Sequence, residues 1–283
     1  MAGHGVGVPA MSAATRAEAA APMLLRDDHA DGVTVLTLNR PASRNSLSLQ
    51  MLETLENALA AIGEDASRRC VVLAAAGPVF SAGHDLREIK AHRADPDQGR
   101  GFYDRAMETC SRVMQAITAL PQPVIAAVQG VATAAGCQLV ATCDLAVAAE
   151  HARFCTPGVD IGLFCSTPAV ALARAVPRKV AMEMLMLGDM ISAEEALRVG
   201  LANRVVAADR VRETALGLAR RIAARSALTV RMGKRGFYAK VDMPLAKAYR
   251  EAACIMVDNL MAHDAGEGIG AFLEKRRPVW EDR

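Results

Sequence analysis

Two glycine-containing turns, each directly after an apolar run, are the segments of this 283-residue chain best suited to chemistry. The first spans residues 80–86 (Phe-Ser-Ala-Gly-His-Asp-Leu) and the second spans residues 130–138 (Gly-Val-Ala-Thr-Ala-Ala-Gly-Cys-Gln). In open parallel sheets, ligands bind beyond the carboxyl ends of strands, where both turns are expected. Each turn can present a free backbone N–H at a helix start, which favours a developing oxyanion. The alternative is that these glycines only reverse the chain.

Strands that alternate with helices must position the two turns. Residues 33–38, 71–74, 124–128 and 145–148 are short runs of apolar residues, many of them β-branched, and predict four strands. A helix is predicted from about Ser46, because Leu52, Leu55, Leu59 and Ile62 recur on one helical face. A second helix is predicted over residues 101–119. Nearly continuous apolar strands between helices predict an α/β fold with a parallel sheet covered on both faces, of the doubly wound kind.

The second half of the chain is predicted to be mainly helical. Ser192 and Glu195 form a capping box for a short helix that Gly200 ends. Further helices are predicted near residues 209–225, 243–262 and 264–275. We therefore predict an α/β core over residues 24–205 and a C-terminal helical region over residues 206–283. Residues 1–23, rich in Ala and Gly, are predicted to be a flexible extension.

Composition excludes several classes of protein. The formal net charge is only +2, which does not predict a nucleic-acid partner. Charged residues interrupt each apolar run before the roughly 18 residues that a membrane span needs. The seven cysteines are an odd number without a C-x-x-C pair, which favours buried thiols in a reducing compartment over a metal site or disulfides. The N-terminus lacks a secretory signal, and Arg16 alone is a weak basis for organelle targeting. We therefore predict a cytoplasmic protein without a metal.

A set of motifs in a fixed order resembles the enoyl-CoA hydratase/isomerase (crotonase) family over residues 24–283. These motifs are Leu38-Asn-Arg-Pro41 with Asn45, Phe80-Ser-Ala-Gly-x-Asp85, Pro123-Val-Ile-Ala-Ala-Val-x-Gly130, Cys143-Asp144, Ala152-Arg-Phe154, Gly188-x-x-Ile-Ser-Ala193-x-x-Ala196-x-x-x-Gly200-Leu201 and Phe272-Leu-Glu-Lys-Arg276. Each motif is common, whereas their order and spacing together are highly specific.

The resemblance implies a different fold from the doubly wound one: repeated ββα units that form two packed sheets, followed by C-terminal helices that mediate trimerisation, often with trimers paired as hexamers. It also implies binding of acyl-CoA thioesters, in fatty-acid or acyl-CoA metabolism, by proteins of the lyase class. By position, the backbone N–H groups of His84 and Ala135 would form the oxyanion hole that stabilises an enolate.

The same resemblance implies where coenzyme A binds, as part of the substrate and not as a separate cofactor. The implied CoA contacts are Ala42, Arg44, His84, Asp85, Leu86, Arg87, Phe272 and Lys275. The arginines and the lysine suit phosphate recognition by charge-assisted hydrogen bonds, although each could equally belong to an exposed charged surface. Residues 91–100 lack periodicity and are predicted to be a mobile loop over the acyl pocket.

The acids of a hydratase are missing. Hydratases of the resembled family use two glutamates, and their positions here hold Gln138 and Gly158; related enzymes use a third acid, at Ser166 here. A carboxamide cannot exchange a proton at neutral pH. Asp160, and His84 if its ring turns inward, are weak substitutes, each with an alternative interpretation as a turn cap or a solvent-facing side chain.

Two hypotheses therefore remain open. The first is an acyl-CoA enzyme whose oxyanion hole works with unconventional acid–base groups or with none. The second is a non-catalytic acyl-CoA-binding or regulatory protein on the same scaffold. Cys137 and Cys165 would be nucleophiles only if a base activated them, and packing is the alternative. From the sequence we expect that Glu at both 138 and 158 would raise hydration of crotonyl-CoA.

Overall fold

The computed structural model describes residues 21–283, so that most of the extension predicted over residues 1–23 lies outside the described residues. The chain just before the first strand is attached to the core. The backbone N–H of Asn39 donates to the Met23 carbonyl oxygen at 2.7 Å, and the Met23 side chain packs against buried core residues. The predicted boundary between the two regions at residue 205 stays a prediction.

The described residues form ten strands and eleven helices, with short 3₁₀ segments between some of them. The strands are β1 (Leu24–Asp28), β2 (Val33–Leu38), β3 (Cys70–Ala75), β4 (Val79–Ser81), β5 (Val124–Val128), β6 (Val131–Thr133), β7 (Leu145–Ala149), β8 (Arg153–Cys155), β9 (Ile191–Ser192) and β10 (Arg204–Val206). The helices are α1 (Leu49–Gly63), α2 (Leu86–His92), α3 (Arg100–Ala119), α4 (Ala135–Thr142), α5 (Ser166–Ala175), α6 (Arg178–Leu187), α7 (Ala193–Val199), α8 (Val211–Ala223), α9 (Ala227–Lys240), α10 (Leu245–Met261) and α11 (His263–Leu273).

The strands form two sheets. The larger has the order β1-β2-β3-β5-β7-β10, parallel except for β1, and the smaller has the order β4-β6-β8-β9. Each of the pairs β3–β4, β5–β6 and β7–β8 places one strand in each sheet. The larger sheet therefore adds strands in chain order without the reversal of a doubly wound sheet, so that prediction is wrong. The repeated ββα arrangement implied by the resemblance is confirmed.

The core forms where the sequence patterns predict it. The residues of β5 are all buried, as is the α1 face formed by Leu52, Leu55, Leu59 and Ile62. Helix α1 begins at Leu49 and not near Ser46, because the Ser48 hydroxyl accepts a hydrogen bond from the Met51 N–H at 3.2 Å and caps the helix.

The C-terminal helices are attached more loosely than the core elements. In α10 no residue is buried, and in α9 only Gly236 is buried. A nearly buried ion pair attaches α9 to the core: the Lys234 ammonium donates to Asp144 at 2.7 Å and to the carbonyl oxygens of Ile117 and Gln122. None of the helices in the described part of the chain is long and apolar enough to cross a bilayer.

Candidate active site

A buried network holds the first turn, which follows β4. The Ser81 hydroxyl donates to the Asn45 carbonyl oxygen at 2.9 Å and accepts from the Gly83 N–H at 3.3 Å. The Asn45 side chain, itself buried, donates to the carbonyl oxygens of Ala76 and Val79. The Leu47 N–H donates to the Gly83 carbonyl at 2.8 Å. These bonds fix the backbone that leads into His84.

The second turn places the start of α4 against the first. Ala134 precedes α4 with φ 49° and ψ −120°, a conformation that favours glycine and strains alanine. Its N–H donates to the Cys155 carbonyl at 3.0 Å, and its carbonyl accepts from the Gln138 N–H. A Cβ at Gly136 would lie only 2.4 Å from the Ser81 carbonyl oxygen, so only glycine allows this approach.

The two turns bring the predicted oxyanion donors to one place. A Cβ built on Gly83, the residue before His84, would lie 3.1 Å from the Ala135 nitrogen. Among the hydrogen bonds of residues 21–283, neither the His84 N–H nor the Ala135 N–H has an acceptor. Ala135 is the first residue of α4, where the N–H groups are free and the helix dipole favours negative charge. The arrangement therefore suits an oxygen that accepts two hydrogen bonds.

Most implied CoA contacts surround the first turn. The side chains of Ala42, Arg44, Leu86 and Arg87 are exposed. Asp85 has a structural task instead: its carboxylate accepts from the Arg87 and Glu88 N–H groups as the N-cap of α2, and from the Ser46 hydroxyl at 3.0 Å. Asp85 thus positions the segment that carries Arg87.

Phe272 and Lys275 belong to a different part of the subunit. Phe272 is 81% exposed, and the chain after it folds back along α11 and ends in an ion pair between Asp282 and Arg69. Arg69 directly precedes β3, whereas the first turn follows the other end of that strand. In the described chain, neither Phe272 nor Lys275 makes a side-chain hydrogen bond to the other implied CoA segments.

The two glutamate positions are neutral, and one has no room for a side chain. Gln138 is buried, with its carbonyl oxygen 4.0 Å from the Cys110 sulfur, and it lines a cavity of about 480 Å³ between α3, α4, α5 and α9. At Gly158, a Cβ would lie 2.8 Å from both the Cys165 sulfur and the Leu163 carbonyl oxygen. The Cys165 side chain therefore occupies the space into which a residue 158 side chain would project.

Asp160, a weak substitute for the missing acids, and Ser166, at the third acid position, are both exposed. Asp160 is exposed on the 3₁₀ segment Pro157–Ile161, and its carboxylate lies beside Gly188, the residue that ends α6. Ser166 is exposed at the start of α5, where its hydroxyl bonds the Phe164 carbonyl at 3.4 Å. Local hydrogen bonds hold residues 91–100, among them one of 2.7 Å between the His92 ring and the Asp95 carboxylate.

Burial also favours the neutral forms of the His84 ring and of the thiols near Gly158. Desolvation lowers the pKa of His84 below its ordinary 6.5, although an interaction with the Leu47 backbone opposes this; the Nε2 atom is buried without a partner in the described structure. The ring is therefore not solvent-facing. Burial raises the pKa of the Cys155 thiol to about 11 and raises those of Cys137 and Cys165. These thiols are protonated at neutral pH, which favours packing over nucleophilic roles.

Sequence reasoning missed the residues that support the site. Ser81 and Asn45 lie in the motifs that resemble the family. The hydrogen bond between them spans 36 positions, so no local sequence pattern predicts it. The strain at Ala134 is similarly hidden, because an alanine before a helix looks ordinary in sequence. Packing was the alternative predicted for Cys165, but its specific contact with Gly158 depends on the path of the loop between them.

Comparisons with known proteins agree on one family. A model described as enoyl-CoA hydratase/isomerase matches residues 28–283. A rat protein, "Enoyl-CoA hydratase domain-containing protein 3, mitochondrial", is 49% identical over 92% of this chain and 85% of its own. The crystal structure of an enoyl-CoA hydratase from Mycobacterium smegmatis has a TM-score of 0.87, with 50% identity over 92% of this chain and 99% of its own. The crystal structure of human enoyl Coenzyme A hydratase domain-containing protein 3 has a TM-score of 0.86, with 47% identity over 92% of this chain and 100% of its own.

The same comparisons overturn the predicted location. Rat, mouse, human and zebrafish relatives, 47–49% identical to this chain, are all named mitochondrial, which contradicts the cytoplasmic prediction. Buried free thiols are compatible with any reducing compartment, so they did not identify one. Arg16, the residue on which a targeting interpretation rested, lies outside the described residues.

Proposed function

Because the chain belongs to the enoyl-CoA hydratase/isomerase family, we propose that it binds an acyl-CoA thioester and stabilises the enolate form of that thioester with two backbone N–H groups. The observation that carries the proposal is the meeting of the His84 and Ala135 N–H groups, both free, at two turns packed through Gly83 and Gly136. Preorganised donors of this kind are worth about 2.7–4 kcal/mol each to a developing oxyanion.

Our candidate for the acyl chain is a cavity that Gln138 lines, although neither His84 nor Ala135 lines it. Gln138 follows Ala135 by one helical turn and lines the cavity of about 480 Å³, whose walls also include Met114 and Val170. Its size falls within the roughly 300–1,000 Å³ of small-molecule pockets. We propose this cavity for the acyl chain.

Ordinary hydration of a 2-enoyl-CoA is expected to be slow. Hydration requires one group to take a proton from water and another to protonate the α-carbon, and each contributes about 10²- to 10⁴-fold. Gln138 and Gly158 supply neither, and His84 and the nearby thiols are held in their neutral forms. An activity that needs only a polarised thioester fits the site better than addition of water.

The alternative is a non-catalytic acyl-CoA-binding or regulatory protein. The observation that favours it is the close contact between Gly158 and Cys165, which leaves no room for an acid at that position. Both candidates require the oxyanion donors to hold a thioester.

Two titrations test what the candidates share, and a product screen separates them. Calorimetry with butyryl-CoA measures binding, and the absorbance of enolised acetoacetyl-CoA measures stabilisation of an enolate. Both proposals predict binding and enolisation, whereas a product screen by mass spectrometry over several acyl-CoA esters yields products only from an enzyme. Absence of binding would contradict both, and crotonyl-CoA hydration at rates typical of hydratases would contradict the account of the missing acids.

We also propose assembly as a homotrimer or as a dimer of trimers. Helix α10 has no buried residue and exposes large apolar side chains, including Tyr249, Met256, Leu260 and Met261. An apolar surface of this kind is typical of an interface. In such an assembly, Phe272 and Lys275 would contact CoA bound to a neighbouring subunit. Light scattering should give about three or six times 29.9 kDa, and Met256→Glu with Leu260→Glu should yield monomers.

The mitochondrial location of the named relatives is the one we propose for this chain. Import of a fluorescent fusion into mitochondria tests it, and a diffuse fusion would contradict it.

A further inference from the structure

A basic groove adjoins the cavity proposed for the acyl chain, and the two share the lining residues Asp144, Leu145, Phe237 and Tyr238. It has a volume of about 620 Å³ and runs between α8, α9 and the starts of β5, β7 and β10. A smaller cavity of about 350 Å³ continues it, and both share Ile222, Arg225 and Val230. No residue that lines the groove belongs to either glycine turn, so the groove is separate from the proposed oxyanion donors.

The groove carries uncompensated positive charge. Arg204, Arg221 and Arg225 line it, are exposed, and have no ion-pair partner among residues 21–283, whereas the neighbouring Arg220 pairs with Asp31 at 2.8 Å. One carboxylate lines the groove, that of Asp144, which is paired with Lys234. Four cations and one anion give the lining a net charge of 4 − 1 = +3.

Lys234 does not contribute a free donor. Its three N–H groups are directed to Asp144, to the Ile117 carbonyl and to the Gln122 carbonyl, at 2.7, 2.9 and 3.0 Å. An anion in the groove would therefore be bound by the arginines at its rim. Guanidinium groups bind carboxylates through paired hydrogen bonds, which suits this arrangement.

The floor of the groove is apolar and partly open. Leu145, Leu218 and Ile222 are partly buried and pack on the core. Gly233 lines the groove in the middle of α9, and a Cβ there would meet no atom within 4 Å. Glycine is unfavourable inside a helix, so the missing side chain weakens α9 locally while it leaves the floor open.

We propose that this groove binds a long-chain fatty carboxylate, with the carboxylate at the arginines and the aliphatic chain along the apolar floor. The volume lies within the range of small-molecule pockets. Charge complementarity selects the anionic head, and the floor beside Gly233 selects the chain. A CoA nucleotide alone supplies the charge without the chain, and a fatty alcohol supplies the chain without the charge.

Calorimetry on the full-length protein tests the proposal with palmitate, hexadecanol and free CoA, each also measured with butyryl-CoA present at saturation. We expect palmitate to bind, hexadecanol and CoA to bind at least about tenfold more weakly, and butyryl-CoA to leave palmitate binding unchanged. Competition by butyryl-CoA would assign the fatty chain to the acyl-CoA site and overturn the proposal, as would absence of palmitate binding. Neither outcome bears on whether butyryl-CoA itself binds.

Matched variants locate the binding. Gly233→Leu fills open space and should reduce palmitate affinity at least tenfold, whereas Gly217→Leu, also at an open helical glycine but outside the groove, should not. Arg221→Glu with Arg225→Glu should have a similar effect, and Arg235→Glu on the same helix as Gly233 should have none. Unchanged affinity in Gly233→Leu and in the double arginine variant would overturn the proposal. A smaller oligomer in Gly233→Leu at unchanged palmitate affinity would assign the groove to a second copy of the chain.

Discussion

The turns that carry the proposed oxyanion donors differ in their packing from the positions at which hydratases hold their acids. At the turns, glycines allow approaches that no other residue permits, and strain at Ala134 is tolerated to keep the Ala135 N–H free. At the acid positions, Gln138 is a neutral buried amide and the space beside Gly158 is filled by Cys165. The proposed function therefore treats polarisation of a carbonyl and transfer of protons as separable, and it assigns only the first to this chain.

The largest effect is expected from a substitution that overfills the close contact between the two glycine turns. Gly136→Val would place a Cβ 2.4 Å from the Ser81 carbonyl oxygen, and relief of this clash would require the backbone to move. We expect the free energy of unfolding to fall by about 3 kcal/mol or more, together with loss of acyl-CoA binding, since overpacking of this kind exceeds the usual range. Urea denaturation measures the first and calorimetry the second. Gly217→Val, where a Cβ meets no atom within 4 Å, is the control and should keep acyl-CoA binding; a stable, binding-competent Gly136→Val would refute the close contact.

Removing one donor should separate polarisation from folding. Ala135→Pro deletes the N–H at the first position of α4, a position that suits proline, although proline disfavours the φ of 49° at the preceding Ala134, so circular dichroism must first confirm the fold. We expect the protein to fold and its affinity for the enolate of acetoacetyl-CoA to fall by about 10²-fold, the usual cost of one oxyanion donor. The absorbance of the enolate reports this affinity. Ala193→Pro, at the equally buried first residue of α7, should leave enolate binding intact. Enolate affinity retained in a folded Ala135→Pro would exclude this N–H as a donor.

Placing acids at residues 138 and 158 is not expected to restore hydration. The sequence alone suggested that Gln138→Glu with Gly158→Glu would raise hydration, but the contacts of Gly158 with Cys165 and Leu163 reverse that expectation. We expect the double variant to lose about 1–3 kcal/mol of stability and to gain no hydration of crotonyl-CoA. Gln138→Glu alone is the control, and we expect it to fold nearly normally. Family-level hydration by a stable double variant would show that the loop over residues 158–165 adapts easily.

The smallest effect concerns His84 and pH. Since burial lowers the pKa of His84 in the folded protein, the unfolded chain takes up a proton more readily, near the ordinary value of 6.5. The stability of the folded state is then complete above about pH 6.5 and falls as the pH is lowered through the window between 6.5 and the folded pKa. His84→Gln should flatten this dependence while the backbone donor stays in place. Thermal unfolding from pH 7.5 to 5 measures it, and an unchanged slope would place the ring in water.

The sequence predicted the local features of the fold well. The predicted limits of two strands, 33–38 and 124–128, equal those observed, and the capping bond from the Glu195 N–H to the Ser192 hydroxyl is present at 3.1 Å. Helix α9 was missed, because Gly233 and Gly236 interrupt an otherwise charged and weakly periodic segment. Six strands, β1, β4, β6, β8, β9 and β10, were not predicted, and all but β1 have only two or three residues. Helices α2, α5 and α6 were not predicted either.

The candidate site was predictable only where its determinants are local. Residues within one turn, such as His84 or Ala135, can be located from glycine spacing and the family resemblance. Whether Gly158 has space for a side chain depends on Cys165, and where the Asp160 carboxylate lies depends on Gly188. Contacts of this kind join elements through their packing, and hydrophobic periodicity carries no information about them.

The infrared spectrum of bound butyryl-CoA, labelled with ¹³C at the thioester carbonyl, tests the central claim most directly. Two N–H groups that donate to the carbonyl oxygen weaken the C=O bond, so the account predicts a lower stretching frequency on binding and a smaller shift in Ala135→Pro. An unshifted carbonyl band in a complex that calorimetry shows to be fully formed would contradict it.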